Sequence, residues 1–339
     1  MDGHASAHEV RGTVDVACDE SGFVGGSLFG ASRVFTHASL DLDLDAATDL
    51  TREVRRRLGV EVAELKASRL NRPWARPVAT WLCGPDGPLA GRVAVHLTDT
   101  RLFGLARLAQ VVRSDTAPEG WWSAREDPGS WEQAVRLSAA LGELPPAWER
   151  EFLISARALL WIRRRRRHGE QIEDWSHVVH SVSDRISAGG GRRFVAEWAS
   201  AEALRRAREY VETPPAAPLS EPLLPALRWA VHHWSALGDV NVVHDEQSVL
   251  TPARVAAIAR ELEASYPGRR LVGFRRVDSR EDTRVQIADL VAGVVRRAVE
   301  DDLSGRRAGP SLPVGHLVAG DLRQDACDRP RAERRSSAR

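Results

Sequence analysis

Lysine is nearly absent from this 339-residue sequence: of its 48 basic residues, every one except Lys66 is arginine. One explanation is a composition driven towards arginine, in which Lys66 survives by chance. The other is function, because lysine offers a compact, movable point charge that the planar guanidinium of arginine does not reproduce. Lys66 is therefore a candidate functional residue, and both explanations stay open at this point.

Cysteine and net charge are also scarce. Cys18, Cys83 and Cys327 are scattered and form no CxxC pair, which argues against a disulfide framework and against a thiolate zinc site. The 48 basic and 47 acidic residues leave a net charge of +1, so no global positive field attracts nucleic acid. Any nucleic-acid binding must therefore come from a local patch.

Long apolar runs, targeting segments and nucleotide-binding motifs are missing as well. No apolar run approaches the ~18–20 residues that cross a bilayer. The first ten residues, MDGHASAHEV, lack the basic start and apolar stretch of a signal peptide. We therefore expect a cytoplasmic protein with no membrane partner. There is no P-loop, no GxGxxG dinucleotide motif and no GxSxG nucleophile elbow.

Residue periodicity predicts the α/β class. Strand patterns cover 13–19, 27–36, 92–98, 239–245 and 270–277, and helical patterns cover 46–58, 101–113, 223–236, 252–265 and 283–302. The order strand, helix, strand after residue 239 predicts a βαβ crossover with parallel strands. The class is therefore a sheet flanked by helices.

The pattern also predicts how the chain is divided. Residues 114–212 show only helical patterns and hold seven of the eleven tryptophans. We therefore predict a discontinuous α/β domain of residues 1–113 and 220–305, interrupted by a large all-helical insertion at 114–212. A proline-rich connector follows at 213–222, and a polar, partly disordered tail covers 306–339.

Four acidic residues occupy positions where acids are uncommon. Asp19 and Asp245 end apolar strands, Glu64 precedes Lys66 in AELKAS, and Asp289 lies within a helix. The core-facing stripe of that helix contains Val285, Ala288, Ala292 and Val295 at helical spacing. Asp289 falls on the same stripe, where an uncompensated charge is costly. Taken singly, Asp19 and Asp245 are better explained as turn or helix-cap residues, and Asp289 is explained equally well as a paired core residue.

Together the four acids point to a metal site. Functional residues of open α/β sheets gather beyond the carboxyl ends of the strands, and like charges brought together there repel. Divalent cations remove this repulsion, and Mg²⁺ or Mn²⁺ prefers carboxylate oxygens. Two such ions, ~3.5–4 Å apart, form the clamp used for phosphoryl displacement. The pattern predicts a metal-dependent phosphodiester hydrolase with Asp19, Glu64, Asp245 and Asp289 as its catalytic and metal-binding residues.

The motifs that carry these acids resemble a known family. DESG at 19–22, ELKAS at 64–68, VVHDE at 242–246 and VDSREDTRVQIADLVAG at 277–293 are similar to the uncharacterised bacterial domain-of-unknown-function family numbered 3800. The resemblance covers roughly residues 13–113 and 220–302 and implies an RNase H-like fold. It also implies that the four acids form the metal cluster, with Glu20 and Glu246 as less certain members, because adjacent strand residues point to opposite faces.

Several other residues are possible supporting groups. Lys66 would hold a phosphate or orient a carboxylate beside the metals, Ser21 and Gln286 would lie behind the ligands, and Asp99 is a reserve candidate at the end of the third strand. For each of these four the simpler structural explanation is the better one.

One run of charge predicts a nucleic-acid contact. The run consists of Arg163, Arg164, Arg165, Arg166 and Arg167. It reads either as cations at a helix carboxyl end or as a patch that contacts phosphates, and we favour the second because the chain is otherwise neutral. We expect a nuclease acting on DNA or RNA. The alternatives are a catalytically silent nucleic-acid or protein binding module in a defence or mobile-element system, and a small-nucleotide phosphodiesterase.

Overall fold

The computed structural model describes residues 12–23, 28–30, 32–62, 64–113, 126–161, 168–186, 190–215, 218–305 and 314–320. Six strands are present: β1 (Thr13–Ser21), β2 (Val34–Leu40), β3 (Val93–Asp99), β4 (Asp239–Asp245), β5 (Leu271–Val277) and β6 (Val318–Gly320). They form one sheet in the order β5-β4-β1-β2-β3-β6.

The sheet is mixed. β1 pairs in parallel with β4, β4 with β5, and β3 with β6. β2 and β3 run antiparallel, because the Thr100 N–H donates to the Arg33 carbonyl at one end (2.9 Å) and the Asp41 N–H donates to the Arg92 carbonyl at the other (3.0 Å). The predicted α/β class is confirmed as a mixed sheet flanked by helices.

The helices account for most of the remaining described chain. They are α1 (Leu44–Leu58), α2 (Ala67–Leu70), α3 (Arg76–Cys83), α4 (Thr100–Arg113), α5 (Pro128–Gly142), α6 (Pro146–Leu160), α7 (His168–Ser183), α8 (Gly190–Ala196), α9 (Ala201–Glu212), α10 (Leu223–Trp234), α11 (Pro252–Ser265) and α12 (Thr283–Leu303). Short 3₁₀ turns cover Pro73–Ala75 and Glu197–Ala199. Among the described residues, no helix is long and apolar enough to span a bilayer.

The chain divides into two compact units. The first contains the described residues up to Asp19 together with Ala38–Ala94 and Leu227–Val294, and the second contains Glu20–His37, Val95–Ala226 and the described residues from Val295 onwards. In the first unit, Trp234 Nε1 donates to Ser39 Oγ at 2.9 Å inside the core. In the second, a core cluster that includes Phe103, Trp175 and Trp198 joins the helices α4 to α9.

Local sequence explains where the helices of the first unit begin and end. The Asp43 side chain accepts from the Ala46 N–H at 2.7 Å, which caps α1. Gly59 ends this helix in the left-handed conformation (φ 64°) and donates its N–H to the carbonyls of Arg55 and Arg56. Thr251 caps α11 through the N–H of Arg254 at 3.4 Å, and Pro252 takes the first helical position.

The parallel crossover predicted in the second half of the sequence is confirmed. β4 and β5 are parallel neighbours, and α11 connects them. α12 follows, and the predicted stripe of Val285, Ala288, Ala292 and Val295 is buried. Residues Ile287, Leu290, Val291 and Val294 are buried too. The middle of α12 is therefore enclosed on most sides, which makes its one acid, Asp289, an unusual residue.

The predicted second strand at 27–36 is wrong in its first half. Leu28, Phe29 and Gly30 form turns instead, Phe29 has a positive φ of 63°, and β2 begins only at Val34. Apolar residues in this turn mimic a strand because they are buried in the second unit, where Leu28 is 0% exposed. β6 is an additional strand that the sequence pattern does not predict.

The glycine of the DESG motif has a structural role at the end of β1. Gly22 adopts φ 99°, and a Cβ atom at this position would lie 2.2 Å from the Val34 carbonyl oxygen. Only glycine avoids both the strained backbone conformation and this clash. Gly22 therefore lets the chain turn directly after the strand that carries Asp19.

Candidate active site

The parallel register of β1 and β4 brings two of the predicted acids together. Cys18 pairs with His244, so the next residues, Asp19 and Asp245, lie side by side near the carboxyl ends of neighbouring strands. Asp245 is the last residue of β4, whereas Asp19 does not end its strand as predicted, because β1 continues to Ser21. Neighbouring strands lie about 4.8 Å apart. Earlier in the same strands, Asn241 Nδ2 donates to Asp15 Oδ1 at 2.7 Å. Asp19 and Asp245 follow these two by four residues and therefore project from the same face.

Ser279 connects the Asp245 carboxylate to Glu64. Its backbone N–H donates to Asp245 Oδ1 at 3.1 Å, and its hydroxyl donates to Glu64 Oε1 at 3.5 Å. Ser279 lies in the turn between β5 and α12, whereas Glu64 lies in the segment between α1 and α2. This serine was not a candidate in the sequence analysis, because a turn residue leaves no periodic signal.

Lys66 is a cation on which three of the predicted acids act. It forms an ion pair with Glu64, and the charges of Asp289 and Asp19 also act on it. The hydrogen bond to Glu64, followed by the field of these acids, raises the pKa of the Lys66 ammonium. The side chain stays 54% exposed. The single lysine of the chain is therefore the counterion of the acid cluster.

Asp289 approaches this cluster from α12. The Ala67 N–H donates to its carboxylate, but its Oδ2 atom is buried and has no hydrogen-bond partner among the described residues. Burial raises the pKa of Asp289, the charges of Glu64 and Asp245 act in the same direction, and Lys66 opposes them. Asp289 is therefore a carboxylate that the described protein leaves incompletely compensated.

The Gln286 side chain lies one turn before Asp289 on the same side of α12. It is only 4% exposed, and its Oε1 atom has no hydrogen-bond partner in the described part of the chain. Two buried acceptor oxygens on one helix face, Asp289 Oδ2 and Gln286 Oε1, thus lack a donor among the residues that the structure describes. Buried polar atoms are normally paired, so these two point to a missing donor or cation.

Asp245 is perturbed in the same direction as Asp289. Burial raises the pKa of Asp245, although the N–H groups of Glu246 and Ser279 and the charge of Lys66 lower it in part. Two neighbouring acids with raised pKa values in one place are typical of functional sites, because stability alone would select against them.

A second ion pair lies beside the cluster. The exposed Arg280 forms a pair with the half-buried Asp278 that lowers the pKa of the Asp278 carboxylate. The charge of Lys66 acts on Asp278, and the charge of Glu64 acts on Arg280. Neither residue was a candidate from the sequence. The cluster and its surroundings therefore contain five acids and two cations.

The remaining predicted residues have other partners. Asp99 Oδ2 pairs with Arg33 at 2.7 Å, and Asp99 Oδ1 accepts from the N–H groups of Arg101 and Leu102, which caps α4. Its simpler explanation as a helix cap is therefore the one that the contacts support. Ser21 Oγ accepts from Arg296 Nε at 3.0 Å in the second unit.

Glu20 and Glu246 directly follow Asp19 and Asp245 in the sequence, but their surroundings differ from those of the two aspartates. Glu20 is half-buried and belongs to the second unit. Glu246 is exposed, and its N–H donates to Asp245. The predicted contact residues Arg163, Arg164, Arg165, Arg166 and Arg167 lie outside the described residues.

The acceptor atoms of the four acids fit a hard divalent cation, since all of them are carboxylate oxygens and one buried oxygen has no partner within the described ranges. In the arrangement described, however, no group of three or more His, Cys, Asp or Glu side chains is placed to hold a metal ion. Lys66 supplies the positive charge there instead. The predicted metal site therefore stays a prediction.

Comparisons with protein-family models, with curated proteins and with solved structures find no match to this chain. The resemblance to the family numbered 3800 therefore rests on the motifs alone.

Proposed function

We propose that the protein is a metal-dependent phosphodiester hydrolase that cleaves DNA or RNA. One observation carries the proposal: Asp19, Glu64, Asp245 and Asp289 come from four separate chain segments, and their charges all act on Lys66 or on one another. A cluster of this kind is costly for the free energy of folding. Its retention is explained if the acids serve a ligand that carries positive charge.

The strand arrangement supports an RNase H-like fold for this domain. β1 is central, with β2 and β3 on one side and the parallel strands β4 and β5 on the other. The acids lie at the carboxyl ends of β1 and β4, the edge at which sheets of this class place functional residues. α12 then adds the acid that completes the set.

The four carboxylates would hold Mg²⁺ or Mn²⁺, and bound ions would supply an activated water and neutralise charge on the leaving oxygen. The protein's own residues prepare the site for this role. Ser279 fixes the positions of Asp245 and Glu64 through its two hydrogen bonds. The Ala67 N–H fixes one side of the Asp289 carboxylate and leaves its Oδ2 atom available.

A second candidate function is a catalytically silent binding module. The Lys66–Glu64 and Arg280–Asp278 ion pairs favour it, because they neutralise part of the acid charge without any external cation. The two functions differ in one measurable property, the uptake of divalent cations by the acids.

The test is thermal unfolding with and without Mn²⁺. Mn²⁺ at about 100 times its Kd should stabilise the wild-type protein by about 2.7 kcal/mol, and Asp19→Asn should abolish this gain. Asp86→Asn, which changes an exposed turn acid, is the matched control and should respond like wild type. Equal Mn²⁺ responses in Asp19→Asn and wild type would refute the metal site.

Cleavage assays then separate the two candidates. The wild-type protein with Mn²⁺ should cut at least one of single-stranded DNA, duplex DNA, single-stranded RNA and duplex RNA, and Asp19→Asn should cut none. If wild-type protein that binds Mn²⁺ leaves all four intact, the binding module replaces the nuclease.

A further inference from the structure

The segment that follows Glu64 is locally basic. Residues 65–85 contain Lys66, Arg69, Arg72 and Arg76 and no acidic residue, in a chain whose net charge is only +1. One tryptophan, Trp74, is interleaved with these cations in the sequence NRPWAR at 71–76. Cations alternating with an aromatic residue are typical of surfaces that bind nucleic-acid strands.

Buried anchors hold this segment in a defined shape. Ala67, Leu70, Ala75 and Val78 are at most 9% exposed. Three successive turns connect them, because the N–H groups of Arg69, Arg72 and Ala75 donate to the carbonyls of Lys66, Arg69 and Arg72 at 3.0–3.1 Å. Since the apolar side chains point inward, the cations and the indole are left on the outer side.

Trp74 is exposed to an unusual extent. Its side chain is 57% exposed, whereas Trp175 and Trp198 are fully buried. It has no ring, cation or hydrogen-bond partner among the described residues, although the nearby Trp81 ring stacks against Arg57 at 3.9 Å. A free indole face on a rigid turn is available for a planar ligand.

Two of the arginines are equally free. Arg69 and Arg72 are exposed and form no ion pair with any described residue. In α1, by contrast, Arg56 and Arg57 both pair with Glu53 at 2.6–2.7 Å. Unpaired guanidinium groups can donate two parallel hydrogen bonds to a phosphate.

This surface begins at the candidate active site. Lys66 pairs with Glu64, and the next residue, Ala67, donates its N–H to Asp289. A ligand lying along Arg69, Arg72 and Trp74 would therefore reach the carboxylates without leaving the first unit. We propose that these three residues form a binding surface for single-stranded nucleic acid. Stacking on an indole requires an unstacked base, which a single strand offers and an intact duplex does not.

The proposal rests on the proposed function for its cleavage role, but binding is measured without it. Fluorescence anisotropy of labelled oligo(dT), oligo(U) and a duplex, in the presence of a chelator, reports binding by the full chain. We expect the single strands to bind more tightly than the duplex. Trp74→Leu, which keeps an apolar side chain but removes the ring, should weaken single-strand binding about 5- to 150-fold, and Trp74→Phe should weaken it less.

The arginines are tested through the salt dependence. The double variant Arg69→Gln, Arg72→Gln should reduce the slope of log affinity against log salt by about 1.4, since each phosphate contact on a single strand contributes about 0.7. Arg260→Gln is the matched control, because Arg260 is exposed and unpaired on another helix, α11, within the described chain. It should leave the slope unchanged.

Three outcomes would overturn the surface. They are wild-type affinity in Trp74→Leu, an equal slope in the double arginine variant, and displacement of oligo(dT) by polyglutamate at equal charge concentration, which would indicate an acidic protein partner. Asp19→Asn removes one acid that repels phosphates but leaves this surface unchanged, so its strand binding should still depend on Trp74. Wild-type protein that binds strands through Trp74 but cuts none of them would refute only the proposed reaction. Wild-type protein that cuts strands but binds them equally well after Trp74→Leu would refute only this surface.

Discussion

Replacing Asp289 with asparagine should stabilise the metal-free protein at neutral pH. The Asp289 carboxylate accepts the Ala67 N–H, but its Oδ2 atom is buried without a partner among the described residues, and the charges of Glu64 and Asp245 add repulsion. Asp289→Asn keeps the shape and one acceptor oxygen while removing the charge. The gain comes from removing a buried charge and its repulsion, because the Asn amide nitrogen takes the place of Oδ2; each unit by which folding raises the Asp289 pKa is worth about 1.4 kcal/mol.

The pH dependence of this gain has a definite sign. Because the folded protein raises the pKa of Asp289 above its ordinary value of 3.8, the folded state binds the proton more tightly than the unfolded state does. The favourable contribution of this carboxyl is complete below pH 3.8 and is lost as the pH rises through the folded pKa. Asp289→Asn should therefore raise the free energy of unfolding at about pH 7 and change it little near pH 3.

Asp282 provides a control of the opposite sign. Burial alone would raise its pKa, but the hydrogen bonds and charge of Arg284 outweigh burial and lower it. Its contribution to stability is therefore present above pH 3.8 and is lost as the pH falls through the folded pKa. Breaking this buried pair by Asp282→Asn should cost about 3–5 kcal/mol at neutral pH.

The assay is urea unfolding of both variants and wild type with a chelator, at several pH values. Opposite shifts of the unfolding midpoint at neutral pH, both shrinking in acid, are the expected result. A loss of stability in Asp289→Asn comparable to that of Asp282→Asn would mean that Asp289 is a satisfied core residue. The argument that it is kept for a ligand would then have no basis.

Two shorter predictions concern Lys66 and Gly22. Lys66→Gln removes the charge that opposes the raised pKa values of Asp289 and Asp245. The metal-free variant should therefore unfold at a lower temperature than wild type, and Mn²⁺ should raise its unfolding temperature by more. Lys66→Arg should restore the unfolding temperature of the metal-free protein. Equal unfolding temperatures of Lys66→Gln and wild type would contradict the role of Lys66 as counterion. Gly22→Ala should cost about 1–3 kcal/mol in urea unfolding, because it combines a strained positive φ with a clash against the Val34 carbonyl; Gly59→Ala, whose added Cβ meets nothing within 4 Å, should cost less.

The sequence predicts the elements from β4 to α12 well, because each is marked by strong periodicity and clear ends, whereas α2 and α3, which follow Lys66, are not predicted. β4 and α11 agree with the predicted bounds, and α12 extends only one residue further. The prediction of the second strand fails for a physical reason: Leu28 is buried and Phe29 half-buried in turns, and period-two alternation cannot distinguish such a turn from a strand. The bounds of the helical insertion stay predictions.

The candidate site is predictable only where acids interrupt a regular pattern. Asp289 stands out because it breaks an apolar helical stripe, and Asp245 because it ends an apolar strand. Ser279 and Arg280 carry no such signal, since they lie in a turn whose residues follow no period. Asp99 shows the opposite difficulty: the sequence marks it as a site candidate because it ends a strand, but an acid at that position also caps the helix that follows.

The charges of the site indicate how an anionic strand would approach it. With all five acids ionised, Asp19, Glu64, Asp245, Asp278 and Asp289 exceed the two cations, Lys66 and Arg280, by three charges. A phosphodiester is repelled by such an excess, so cations must reach the acids before the scissile group does. The unpaired arginines that follow Lys66 provide attraction without neutralising the acids. In the proposed arrangement, adjacent but separate residues would bind the strand and the metal, so we expect that mutation can remove either binding without the other.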